Sequence, residues 1–148
     1  LHRGRPMSAD AYQFTLRGAG GDEHVYECTL MGARDGEALF WLILPEILEP
    51  LAAAVGGMGS LAAIMDGNAQ ALGGVDLPNA AGALAAAMRR TDMADLTTRL
   101  LEASGAQRDG KDLTKPANRS DAYRANFLEK ARAALEIIKA NRFFQLAG

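Results

Sequence analysis

His24 and Cys28 carry the most reactive side chains of this chain, and their surroundings argue against chemistry. A histidine serves as base or metal ligand when another histidine, a cysteine or a carboxylate cluster stands at ligand spacing. His24 has no such company and reads as a histidine at a strand edge, while His2 lies in the N-terminal tail. Cys28 is the only cysteine, so no intramolecular disulfide is available and a reducing, cytoplasmic setting fits. Nothing near it supplies the base or positive charge that would activate a thiolate. Asp22, Glu23 and Asp35 do not form a recognisable acid–base pair in sequence. The expectation is a protein that is not an enzyme, with no catalytic residue, no metal and no cofactor.

Short motifs add little to that. Gly20–Gly21–Asp22–Glu23 resembles the signature hairpin of diguanylate cyclases, but only nineteen residues precede it. That family needs metal and nucleotide residues ahead of the hairpin, so the segment reads as a plain turn. Residues 3–6, RGRP, resemble a minor-groove AT-hook, yet the net charge of −2 opposes bulk attraction to nucleic acid. Residues 1–10 are read as a flexible tail with Met7 as a candidate natural start, and no signal peptide is expected. None of the glycines between 56 and 83 forms a phosphate-cradling loop. Arg89 and Arg90 read as a solvated pair.

The elements that would position any site follow from periodicity. At 148 residues one domain is expected, burying roughly 68–70% of its unfolded surface. Tyr12, Phe14 and Leu16 alternate with polar residues, and Val25–Leu30 is a second β-rich run, giving strands about 11–17 and 24–31 around a glycine-rich turn. Residues 36–55 are strongly apolar, but Pro45, Glu46, Glu49 and Pro50 interrupt them and argue against a membrane span. Leu39, Ile43, Ile47, Leu51 and Val55 instead mark a buried helical stripe. Trp41 is expected to anchor that core; an exposed Trp41 would be a partner contact. Further helices are expected over about 59–72, 80–90 and 92–104, the last capped by Asp92. Residues 105–118 read as a polar connection with a tight turn at Asp109–Gly110. A final helix of about six turns is expected over 120–142. Ser120 would cap it, Tyr123, Phe127, Ala131, Ala134, Leu135 and Ile138 would line its buried face, and Glu129/Arg132 would form a surface pair. The fold class is α+β: a small N-terminal antiparallel hairpin or sheet, then four to five helices, in a single domain over 11–148.

The closing region carries a resemblance. Asp121-Ala-Tyr123-Arg124-Ala-Asn126-Phe127, followed by Asn141-Arg-Phe143-Phe144, resembles the end of tail assembly chaperones from long-tailed bacteriophages and prophages. The likeness is concentrated in residues 109–144. In that family an acidic/aromatic-Arg-Gly-polar segment precedes a helix ending in Asn and aromatics; here Ala125 stands where glycine is common. If that glycine admits a partner backbone, the alanine obstructs it. The resemblance implies a non-catalytic chaperone in the bacterial cytoplasm, missing from the finished virion. Its partners would be the hydrophobic tape-measure protein and the tail-tube protein, with neither nucleic acid nor membrane involved and a homo-oligomer left open. Tyr123, Arg124, Phe127, Phe143 and Phe144 would carry binding, because aromatic and Arg side chains dominate interface energetics. Tyr123 and Phe127 have core packing as their competing role, and Phe143 and Phe144 are the expected exposed pair. A permanent tail subunit is the alternative assembly role, and a small enzyme with a hidden site is the alternative of another class.

Overall fold

The computed structural model describes residues 10–49, 52–53, 56–66, 82, 86, 89 and 92–143. Phe144, Leu51, Val55 and the RGRP segment lie outside the described residues, as does most of the helix expected over 80–90.

Alternation in the N-terminal segment produces the hairpin it predicts. Strand β1 (Ala11–Arg17) runs antiparallel to β2 (Glu23–Thr29), with Phe14 opposite Tyr26. On the inner face those two rings stack at 4.9 Å, and Tyr26 and Cys28 are buried. On the outer face Gln13 donates to Glu27 at 2.8 Å, and Arg17 meets Glu23. Two very short strands, β3 (Gln107–Arg108) and β4 (Lys111–Asp112), extend the sheet in the order β1-β2-β3-β4. Asp109 and Gly110 join them at φ 52° and 81°, the paired positive values that make Asp-Gly a favoured two-residue hairpin turn. The polar connection expected over 105–118 therefore completes the sheet; two-residue strands are too short for alternation to reveal.

Five α-helices belong to the described body. Helix α1 (Ala33–Ile43) runs directly into a π-helical turn at Leu44–Leu48. Pro45 has no N–H for the i−4 carbonyl, and the ladder widens there. Leu39, Ile43, Ile47 and Leu48 are buried, as the four-residue stripe predicts. Trp41 is not part of that core: it is 60% exposed, because it sits about 200° around the helix from both Leu39 and Ile43. Helix α2 spans Met58–Met65, with Asp66 as its C-cap; residues 67–72 of the helix expected over 59–72 lie outside the described residues. Helix α3 spans Met93–Ala103, and Asp92 Oδ1 accepts the Asp95 N–H at 3.0 Å, the cap its sequence position calls for.

The helix expected over 120–142 is two helices. Helix α4 (Pro116–Ala122) starts on a proline rather than on a Ser120 cap, and α5 covers Phe127–Ala140. Between them Ala125 adopts φ 51°, a left-handed conformation that ends one helix and re-aims the next. The buried face consequently shifts to Glu129, Ala133, Ala134, Ile137 and Ile138. Helix α5 packs against α3 and across β1. At its end Asn141 Oδ1 accepts the Met31 N–H at 3.0 Å, and Asn141 Nδ2 donates to the Ile137 carbonyl at 2.8 Å. Phe143 then turns inward against Phe40, ring centroids 5.6 Å apart, and is 2% exposed. Its expected place on the surface is thereby corrected: the chain reverses at Arg142 (φ 60°) and tucks the ring under α1.

A left-handed alanine costs roughly 1–2 kcal/mol relative to glycine's freedom there, against roughly 0.4–1 kcal/mol of extra unfolded-state entropy that glycine carries. Ala125→Gly should therefore stabilise the protein by about 0.5–1 kcal/mol, read as a higher urea midpoint at unchanged slope. A lowered midpoint would contradict the left-handed elbow.

Candidate partner-binding site

The site is built on a buried charge. Glu129, in the first turn of α5, has a side chain with no solvent exposure. Such a carboxylate is tolerable only when paired and fully hydrogen-bonded. Arg108 on β3 supplies Nε at 2.7 Å and Nη2 at 3.0 Å, a bidentate clamp. Tyr26 on β2 donates its hydroxyl to the same carboxylate, and Asn126 donates Nδ2 at 2.8 Å. Burial pushes the Glu129 carboxyl up, but Arg108, Tyr26 and Asn126 outweigh it and hold it below the usual carboxylate range. Glu129 is thus not the exposed partner of Arg132 that helical spacing suggests.

Around this pair the tyrosines are locked as neutral donors. Burial pushes the Tyr123 hydroxyl up to about 12 and raises that of Tyr26 further. Their hydroxyls lie 3.0 Å apart, and the Arg108 guanidinium stands 5.9 Å above the Tyr123 ring. On the other side Gly18, in the β1–β2 turn, comes so close that an added Cβ would lie 2.6 Å from Glu129 Oε1 and 3.1 Å from His24 Nε2. Ala19 donates its N–H to Asn126 Oδ1 at 3.0 Å, tying that turn to the elbow. His24 Nδ1 lies 2.7 Å from Asp109 Oδ2, and this bond holds the Asp109 carboxyl below its ordinary range. His24 therefore fastens the β3–β4 turn to β2. Cys28 is buried, its thiol pushed up to about 11 by burial, so at neutral pH it is a thiol and not a thiolate.

The network aims α5 so that its start faces outward. Phe127 is 76% exposed and Leu128 64% exposed. A groove of about 530 Å³ runs beside them, lined by Gly18, Ala19, Ala125, Leu128 and Ala131. A second, of about 480 Å³, lies across Phe127 against Ala94, Pro116 and Arg124.

Of the residues expected to bind a partner, the fold brings Arg124 and Phe127 to this surface. Arg124 is exposed and lies 3.4 Å from Asp121. Tyr123 is 5% exposed and belongs to the buried network, and Phe143 is in the core; Phe144 lies outside the described residues. Leu128 is the surface residue that sequence reading missed, and its signal was present: it directly follows Phe127 and falls outside the apolar stripe of α5. Among the described residues no group of three or more His, Cys, Asp and Glu could hold a metal ion, and no helix is long and apolar enough to cross a membrane. No family model, curated protein or solved structure matches the chain.

Two measurements test the network. Removing one partner of a buried ion pair costs about 3–5 kcal/mol, so Glu129→Gln should lose that much by urea unfolding at pH 7. Because the carboxyl sits below its unfolded value of about 4.3, its contribution is complete above roughly pH 5 and is lost as acid carries pH through the folded value. The gap between wild type and Glu129→Gln should close in acid; a constant gap from pH 7 to pH 3 would mean the carboxylate is not ionised in the fold. Separately, Gly18→Ala should cost about 1–3 kcal/mol by overpacking. Gly20→Ala, with nothing within 4 Å of its added Cβ, should change stability by less than about 0.5 kcal/mol.

Proposed function

We propose that this chain acts by binding another protein, as a tail assembly chaperone that holds the hydrophobic tape-measure protein in solution while tail-tube subunits gather. The observation that carries this reading is the adjacent exposure of Phe127 and Leu128 on a helix start that a buried ion pair holds rigid. Scattered exposed apolar residues are ordinary, whereas two large ones side by side between grooves mark an interaction surface. A preorganised aromatic loses little entropy on docking, which is what makes such residues anchors. The resemblance of residues 109–144 to phage chaperones supplies the partner; of the contact residues it implies, Arg124 and Phe127 are exposed, Leu128 stands exposed beside them, Tyr123 and Phe143 are buried, and Phe144 lies outside the described residues. Trp41, exposed rather than in the core, is a further candidate for partner contact.

Co-expression tests the reading. A tape-measure fragment produced alone should precipitate, and in the presence of this chain it should remain in the supernatant. Phe127→Ser should change folding stability by less than about 0.5 kcal/mol, as surface substitutions do, yet return the fragment to the pellet. Equal solubility of the fragment with and without the chain would remove the chaperone role.

A further inference from the structure

The surface around Phe127 also has a sign. The first groove is rimmed by Arg17 and Arg132, the second by Arg119, Arg124 and Lys130, and the one carboxylate lining either is Glu129. Glu129 is buried and neutralised by Arg108, so among the described residues no exposed carboxylate lines either groove; Asp92 lies close enough to Lys130 to favour its charge. Arg132 is exposed and has no ion pair or hydrogen bond among the described residues. Arg17 and Arg124 touch Glu23 and Asp121 at 3.5 and 3.4 Å, all four side chains being at least 66% exposed, and Arg17 also donates to the Gly21 carbonyl at 2.9 Å. Water-exposed pairs of that kind exchange partners at little cost. Arg119 is held by Glu102 and the Leu113 and Thr114 carbonyls, and Lys130 by Thr98 and the Ala94 carbonyl. They add positive potential to the second groove while staying tethered.

Shape points the same way. The floor of the first groove is made of Gly18, Ala19, Ala125 and Ala131, small residues that let another backbone approach closely. Phe127 stands as a ridge shared by both grooves, the form that fits between the i and i+4 side chains of a helix laid across it. We propose that this surface takes an amphipathic helix whose apolar stripe covers Phe127 and Leu128 and whose flanks carry carboxylates for Arg132, Arg124 and Arg17. The proposal rests on the protein-binding reading and gives the chemistry of the bound segment.

The probe is a pair of fluorescein-labelled helical peptides of about five turns with one identical leucine stripe, flanked in one by Glu and in the other by Lys. Anisotropy titration with the full chain should show the Glu peptide bound at least about tenfold more tightly, a preference that shrinks as salt rises. Phe127→Ser should weaken the Glu peptide about tenfold, and Arg132→Glu should reduce the Glu-over-Lys preference severalfold, with circular dichroism confirming that both variants are folded. Equal binding of the two peptides, or an unchanged affinity in Phe127→Ser, would overturn the proposal. So would a dimer in sedimentation that Phe127→Ser dissolves, since the surface would then belong to a second copy. A Glu peptide that fails to bind while the tape-measure fragment stays soluble sinks this inference alone; selective peptide binding with a precipitated fragment sinks the chaperone reading alone.

Discussion

A carboxylate without water is the constraint on which the rest of the chain depends. Glu129 draws its compensation from β2 through Tyr26, from β3 through Arg108, and from the α4–α5 elbow through Asn126. Asn126 in turn receives the Ala19 N–H from the β1–β2 turn. Segments more than a hundred residues apart in sequence are thus fixed to one point. A buried ion pair is poor evidence for net stability, because the desolvation of both ions offsets much of their attraction. Its better-attested use is register, and here it sets the rotation of α5 about its own axis.

That rotation explains the exposed apolar pair. Glu129 follows Phe127 by two positions, about 200° of helix, so a Glu129 drawn toward Arg108 sends Phe127 to the opposite side. Leu128 lies between them and also clears the core. Hydrophobicity alone would favour the reverse, with the ring inside and the acid in water. The bidentate bond, the tyrosine hydroxyl and the asparagine amide together outweigh burial of one aromatic ring. Exposure of Phe127 is therefore a consequence of the polar network rather than a gap in packing.

The same competition decides what could be read from the sequence. Patterns that depend on neighbours were legible: the alternating hairpin, the Leu39–Ile43–Ile47 stripe, the Asp92 cap and the Asp109–Gly110 turn each follow from local rules. The α+β class followed from them. The elbow was not legible, because Ala125 is a strong helix former placed where the chain needs a left-handed residue. Nothing in its type announces the break, and the four-residue step from Tyr123 to Phe127 happens to match helical spacing across it. Glu129 was hidden for a different reason. Charged residues are rarely buried, and its partner Arg108 stands twenty-one positions earlier on a two-residue strand. Trp41 fell to composition: a large apolar ring in an apolar run suggests core, while its angular position among Leu39 and Ile43 places it outside.

Residues 121–127 and 141–143 divide by what they touch. Tyr123 and Asn126 serve the Glu129 network, Asn141 ties the end of α5 to Met31, and Phe143 packs on Phe40. Those positions are accounted for by the needs of this fold. Ala125 at φ 51° occupies a conformation that glycine adopts more readily. Among the described residues of these two segments, Asp121, Arg124, Ala125, Phe127 and Arg142 are left exposed, and of these Arg124, Ala125 and Phe127 line the same groove. Tyr123, Asn126, Asn141 and Phe143 thus build the support on which those exposed side chains stand. The specificity of any partner would then reside in what covers the ridge and its cationic rim.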